Sequence, residues 1–112
     1  MSKYMQIKVA VTPFYQGEFA QTYPRLARHL GYLDRPLADS NPSLYALAAQ
    51  MDKLLYTFDG TKLREVLLPH REKLQGLKAS IDENLAGWNL AQADKLLYQM
   101  EDVFDEIEAA LD

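Results

Sequence analysis

The chain has 112 residues, no cysteine and a formal net charge of −4, with 48% hydrophobic and 25% charged residues. That length fits a single domain, 1–112, able to bury roughly two thirds of its unfolded surface without a disulfide or metal. The missing cysteines exclude disulfides, thiolate nucleophiles and Cys-based metal sites together. No apolar run approaches the ~18 residues of a membrane span, and the N-terminus lacks a signal-peptide core, so a cytoplasmic protein that does not enter a membrane is expected.

The N-terminal third is the least regular part. Met5, Ile7, Val9 and Val11 alternate with Gln6, Lys8 and Ala10 as in a strand, yet Tyr4, Ile7, Val11 and Phe14 also lie near helical spacing. Residues 5–11 therefore read as strand or helix, and Thr12-Pro13 interrupts either. Tyr23-Pro24 opens a helix with Leu26, Ala27, Leu30 and Leu33 on one side, ending at Gly31 or soon after. Residues 34–41, Asp-Arg-Pro-Leu-Ala-Asp-Ser-Asn, read as a loop.

From residue 42 the pattern is helical throughout. Leu44, Leu47, Ala48, Met51, Leu54, Leu55 and Phe58 fall on one face, with Asn41 as cap, Pro42 in the first position and Asp59-Gly60 as terminator. A second helix runs from a Thr61 cap to Ala86 with Leu63, Leu67, His70, Leu74, Leu77, Ile81 and Leu85 as its stripe. Pro69 lies inside it and must either kink or break it, because an interior proline deletes a backbone hydrogen bond and meets the carbonyl four residues back. Gly87 suits a left-handed helix end. Asn89 and Gln92 have capping-box spacing for a third helix, with Trp88 placed to fold over Ala93. That helix carries Ala93, Leu96, Leu97, Met100, Val103, Phe104, Ile107, Ala110 and Leu111, a stripe wide enough to face a bundle core. The expected fold is all-α: a three- or four-helix bundle with a C-terminal antiparallel helical hairpin, residues 42–112 forming the core and 1–41 a less regular segment.

The octapeptides Ala49-Gln-Met-Asp-Lys-Leu-Leu-Tyr56 and Ala91-Gln-Ala-Asp-Lys-Leu-Leu-Tyr98 match at seven of eight positions. Two copies are fewer than the three or more a solenoid needs. The repeat therefore predicts two parallel helices that flank the second helix with equivalent faces.

Charge is unevenly distributed. Residues 1–81 hold eleven Lys/Arg and seven Asp/Glu, whereas 82–112 hold one base, Lys95, and nine acids. Such a C-terminal helix repels nucleic acid and anionic membranes. Acids at a helix C-terminus also oppose the macrodipole, so Asp105, Glu106 and Glu108 either form a solvated face that keeps the protein soluble or meet a basic surface, on a partner or on the chain's own second helix near Arg64 and Arg71.

Little in the chain points to chemistry. The two histidines lack metal-ligand spacing, no Glu-x-x-His or His-Glu-x-x-His is present, and neither a nucleophile elbow nor a phosphate loop occurs. No cofactor or metal is expected. His70-Arg71-Glu72-Lys73 resembles the His-x-x-Lys of histidine phosphotransfer domains, helical bundles of about this size. That resemblance implies His70 as an alternative phosphoacceptor, although the family's glycine after the lysine is Leu74 here. Gly87-Trp88-Asn89-Leu90 and the helix after it are also similar in cadence to the hairpin behind the J domain of J-type co-chaperones. The His-Pro-Asp signature is absent, so that similarity implies no function.

The aromatic residues supply the remaining candidates. Phe14, Tyr15, Phe19, Tyr56, Trp88 and Tyr98 form the possible interface set, since aromatics are enriched in interface cores. The function expected from the sequence is a non-catalytic protein–protein interaction or assembly module, with a protein partner or a second copy in a homodimer.

Overall fold

The computed structural model describes residues 18–112, and within them the fold is all-α, with no strand. The alternatives for residues 5–11, and the interface candidates Phe14 and Tyr15, lie outside the described residues.

Eight α-helices and one 3-10 turn are present among the described residues: α1 Phe19–Thr22, α2 Pro24–Leu33, α3 Arg35–Asp39, α4 Leu44–Ala49, α5 Met51–Thr57, α6 Lys62–Leu67, the 3-10 turn Leu68–His70, α7 Arg71–Ala86 and α8 Leu90–Ala110. Residues 34–41 are not all loop. Asp34 caps α3 by accepting from the Leu37 N–H at 3.2 Å, and Pro36 sits in the first turn, where a missing N–H costs nothing. The cap expected at Asn41 belongs instead to Ser43, whose hydroxyl accepts from the Ala46 N–H. Asn41 has φ 52°, a left-handed value asparagine tolerates, and its Oδ1 accepts from the Phe19 N–H at 2.7 Å.

The helix expected over 42–58 is interrupted at Gln50 (φ −111°, ψ 22°), giving α4 and α5. No proline or glycine stands there, and nothing in the local sequence explains the pause. The apolar face continues across it: every stripe residue from Leu44 to Phe58 is buried. Gly60, at φ 79°, makes the turn that follows, and Thr61 caps α6 by accepting from the Arg64 N–H.

Pro69 breaks the second helix into α6 and α7 without leaving helical space. Leu67, Leu68 and Arg71 keep right-handed α angles, and His70 (φ −99°, ψ −1°) tightens the join. The short 3-10 turn places a residue without an N–H where none is needed.

Side-chain contacts between helices fix the directions of the long elements. Tyr45 on α4 meets Asp82 late in α7, and Asp52 on α5 meets Arg71 at its start, so α4–α5 runs antiparallel to α7. His70, just before α7, lies 4.0 Å from Glu106 near the end of α8, so α7 and α8 form the antiparallel hairpin. It follows that α4–α5 and α8 are parallel and pack on the same helix. The repeated octapeptides have nearly the same burial, with Met51, Leu54 and Leu55 answered by Ala93, Leu96 and half-buried Leu97. Both copies leave Asp-Lys and Tyr outside.

The remaining side of the bundle is closed by α1 and α2. Phe19 is buried and its ring lies 6.0 Å from that of Tyr23, which meets Phe104 of α8 edge-on at 6.3 Å. Leu26 and Leu30 join the same continuous core, which runs from Phe19 to Leu111. Phe19 is therefore a core residue rather than an interface residue. Ala110, expected inside, is exposed one residue before Leu111 tucks in.

Candidate functional site

The fold leaves chemistry uncovered at a few places on its surface. The turn between α7 and α8 is one such place. Helix α7 ends with the Asn89 N–H donating to Asn84 O at 2.8 Å and the Trp88 N–H donating to Leu85 O at 3.1 Å. These are the two bonds of a Schellman cap, whose left-handed residue is usually glycine. Here Gly87 has φ −87° and the left-handed position is taken by Trp88, at φ 58°. The expected glycine and the residue after it have exchanged roles. Asn89 makes no side-chain cap bond, so the capping box is not formed. Trp88 is 56% exposed and Leu90, next to it, 44%. Trp88 is thus a half-exposed aromatic at the tip of the hairpin.

A second uncovered surface adjoins the turn. Along α8, Leu90, Asp94, Tyr98, Glu101 and Asp105 recur at spacings of four and three, the rhythm of one helix face, and Asp102 borders it. Opposite them the buried positions Ala93, Leu96, Met100, Val103, Phe104 and Ile107 face the core. Tyr98 is 62% exposed. Asp94, Glu101, Asp102 and Asp105 make no hydrogen bond or ion pair with the described residues. Partial burial pushes the Glu101 carboxyl upward, and the charges of Asp105, Asp102 and Asp94 add to that.

Arg64 and Arg71, expected near Asp105, Glu106 and Glu108, are engaged elsewhere, as is Lys78 of α7. Arg64 donates to Leu55 O and pairs with Asp59, Arg71 pairs with Asp52 at 2.6 Å, and Lys78 pairs with Asp82 at 2.7 Å. The tail meets a different part of the chain. Glu108 accepts from the Arg25 and Leu26 N–H groups at 2.8 and 2.9 Å, and Asp112 pairs with Lys62 at 2.9 Å. Arg28 and His29 both reach Asp112 O, and Arg25 reaches Leu111 O. The acidic end of α8 is thus tied mainly to α2 and α6, with Glu106 the one acid facing the 3-10 turn, through His70.

Tyr56 is 87% exposed and stands with Leu55, Asp59 and Arg64 around an open depression at the end of α5, apart from the α8 face. A further depression of about 240 Å³ lies among α1, α2 and α3, floored by Ala20, Ala27, Gly31 and Ala38 and rimmed by Arg28, Tyr32, Arg35 and Asp39. The structure thus brings Trp88 and Tyr98 onto one hairpin, keeps Tyr56 separate and buries Phe19.

At His70 the geometry is that of a packed surface residue. Its side chain is 21% exposed, and Nδ1 faces the Glu106 carboxylate. A phosphoryl group on this ring would arrive beside a negative charge. Between α4 and α7, Tyr45 donates to Asp82, which also accepts from Lys78, whose Nζ lies 5.6 Å above the Tyr45 ring. This cluster clasps two helices. Among the described residues no group of three or more His, Asp or Glu side chains could hold a metal, and no helix is long and apolar enough to cross a membrane. No family model matches the chain, and no curated protein or solved structure shows significant similarity to it.

Proposed function

We propose that the chain is a non-catalytic protein–protein interaction module that presents the α7–α8 turn to a protein partner. The observation that carries this reading is Trp88. A non-glycine residue in left-handed space costs about 1–2 kcal/mol, glycine is the immediate neighbour, and the ring is still directed into solvent. Fold stability would favour the opposite order of these two residues. A large, rigid, half-exposed indole supplies much contact area at low conformational-entropy cost, which is why tryptophan dominates interface hot spots.

The test is a photo-crosslinking amino acid at position 88 in native lysate. A discrete adduct should form that excess unlabelled wild type competes away and excess Trp88→Gly does not. Equal competition by both would remove the turn from the interface. Acid-labile phosphate on the wild type, absent from His70→Gln after incubation with a phosphodonor, would replace this function with phosphotransfer.

A further inference from the structure

We propose that the outer face of α8, from Leu90 through Asp94, Tyr98 and Glu101 to Asp105, is a docking strip for a basic amphipathic helix of a partner protein. This rests on the interaction reading above and names the chemistry of its partner. The strip is about 22 Å long at 1.5 Å per residue, so a partner helix of roughly fifteen residues covers it. Leu90 and Tyr98 are large apolar contacts two turns apart on the same line as the acids, and Trp88 extends the line at its N-terminal end. Two large apolar side chains interleaved with acids along one face are the complement of a helix with leucine-like residues and lysine or arginine alternating on its own face.

Charge complementarity selects this occupant over others. Like charges one helical turn apart are unfavourable. The pressure is felt at Glu101, whose carboxyl burial and its acidic neighbours push upward. Among the described residues no ion pair relieves it: Lys62, Arg64, Arg71 and Lys78 are all paired with other groups, and Lys95 is the one base on α8 itself. Nucleic acid and anionic lipid are repelled by the same four carboxylates. A basic helix would neutralise them while burying Leu90 and Tyr98.

The proposal is tested with a synthetic amphipathic Lys/Leu helix of roughly fifteen residues added to the isotope-labelled full chain. Amide shifts should concentrate at Leu90, Asp94, Tyr98, Glu101 and Asp105, and the fluorescence of Trp88, the one tryptophan of the chain, should move to the blue. Affinity should fall about tenfold in the Asp94→Asn, Glu101→Gln, Asp105→Asn variant, as three lost rim pairs imply. It should hold in a charge-matched control, Glu65→Gln, Glu72→Gln, Glu83→Gln, with both variants as helical as the wild type. Equal weakening in the two variants, shifts spread over every acidic surface, or equal binding of a Glu/Leu helix each overturns the strip. If position 88 crosslinks specifically to a partner whose contacting segment carries no excess of Lys and Arg, the interaction module stands and this partner chemistry falls.

Discussion

Two residues do work that their neighbours in sequence would ordinarily do. The residue preceding α2 is Tyr23, which offers no side-chain cap. The N–H groups of the second and third residues of that helix, Arg25 and Leu26, are served by Glu108, more than eighty residues away, with one carboxylate oxygen for each. A carboxylate at a helix N-terminus satisfies orphan donors and is favoured by the macrodipole, and loss of a cap costs about 0.5–2 kcal/mol. Glu108→Ala should therefore lower the midpoint of thermal unfolding by several degrees, with Glu108→Gln intermediate because it keeps an acceptor but not the charge. A melting curve unchanged in both variants would show the contact to be idle. Trp88 predicts the reverse sign. Replacing it by glycine releases the left-handed strain and restores the usual Schellman residue, so Trp88→Gly should stabilise the fold by about 1 kcal/mol. Chemical denaturation of the two proteins measures this, and a loss of stability would mean that the indole is anchored on α7 or α8 more firmly than its exposure indicates.

At the level of elements, apolar periodicity was readable wherever helices are long. The stripes of α4–α5, α6–α7 and α8 were legible almost residue for residue, because a buried face repeats at the helical period whatever it packs against. Helix ends were less legible because two local solutions compete at each. Asn41 and Ser43 are both good caps, and only the position of Phe19 decides which side chain is spent elsewhere. Gly87 and Trp88 are adjacent, and the tertiary demand on the turn, not glycine's preference, sets which one is left-handed. The Asp34-Arg-Pro segment carried helix-start signals, but a five-residue helix has too few positions to show a period. The candidate site was legible only in part: Trp88 and Tyr98 stood out as aromatics, whereas the occupation of Arg64 and Arg71 by Asp59 and Asp52 depends on contacts no local pattern reveals. Helix α7 also carries a testable weakness. A Cβ built on Gly76 meets nothing within 4 Å, so the glycine is not needed for packing. Gly76→Ala should raise stability by about 0.5–1 kcal/mol. A decrease in denaturation midpoint would point to a contact made by residues 1–17.

Over the whole molecule, one core runs from Phe19 to Leu111, and Phe19, Tyr23, Leu26 and Leu30 close the side of it that the longer helices leave open. Light scattering at low micromolar concentration should accordingly give the 12.8 kDa of one chain, and a constant doubled mass on dilution would assign self-association to surfaces outside this core. The pH dependence of stability follows from groups on several elements at once. The hydrogen bond from Arg71 holds the Asp52 carboxyl below its usual range, and that from Lys62 does the same for Asp112. Burial pulls the Asp82 carboxyl upward, but the hydrogen bonds from Lys78 and Tyr45 outweigh it and leave it lowered. Each of these groups binds protons less readily folded than unfolded. Their stabilisation is present above the ordinary Asp value of about 3.9 and is lost as the pH falls through the lower folded values. Glu101 is raised, so its ionised form opposes folding at neutral pH, and that opposition fades as the pH drops through its raised value. At the alkaline end Tyr45 is raised by its hydrogen bond to Asp82 and by burial, and Lys78 is raised by its hydrogen bond to Asp82. Their contributions are present below about pH 10 and are lost as the pH climbs through the folded values. Asp82 is common to both limbs, because it accepts the Tyr45 hydrogen bond across the α4–α7 contact and pairs with Lys78 one turn back on α7. Melting temperature against pH should therefore show a plateau with a loss at each end. Asp82→Asn should lower the plateau and make both losses shallower, while Tyr45→Phe should soften the alkaline loss more than the acid one. If the Asp82→Asn profile runs parallel to the wild type at both ends, the clasp between α4 and α7 does not couple stability to pH.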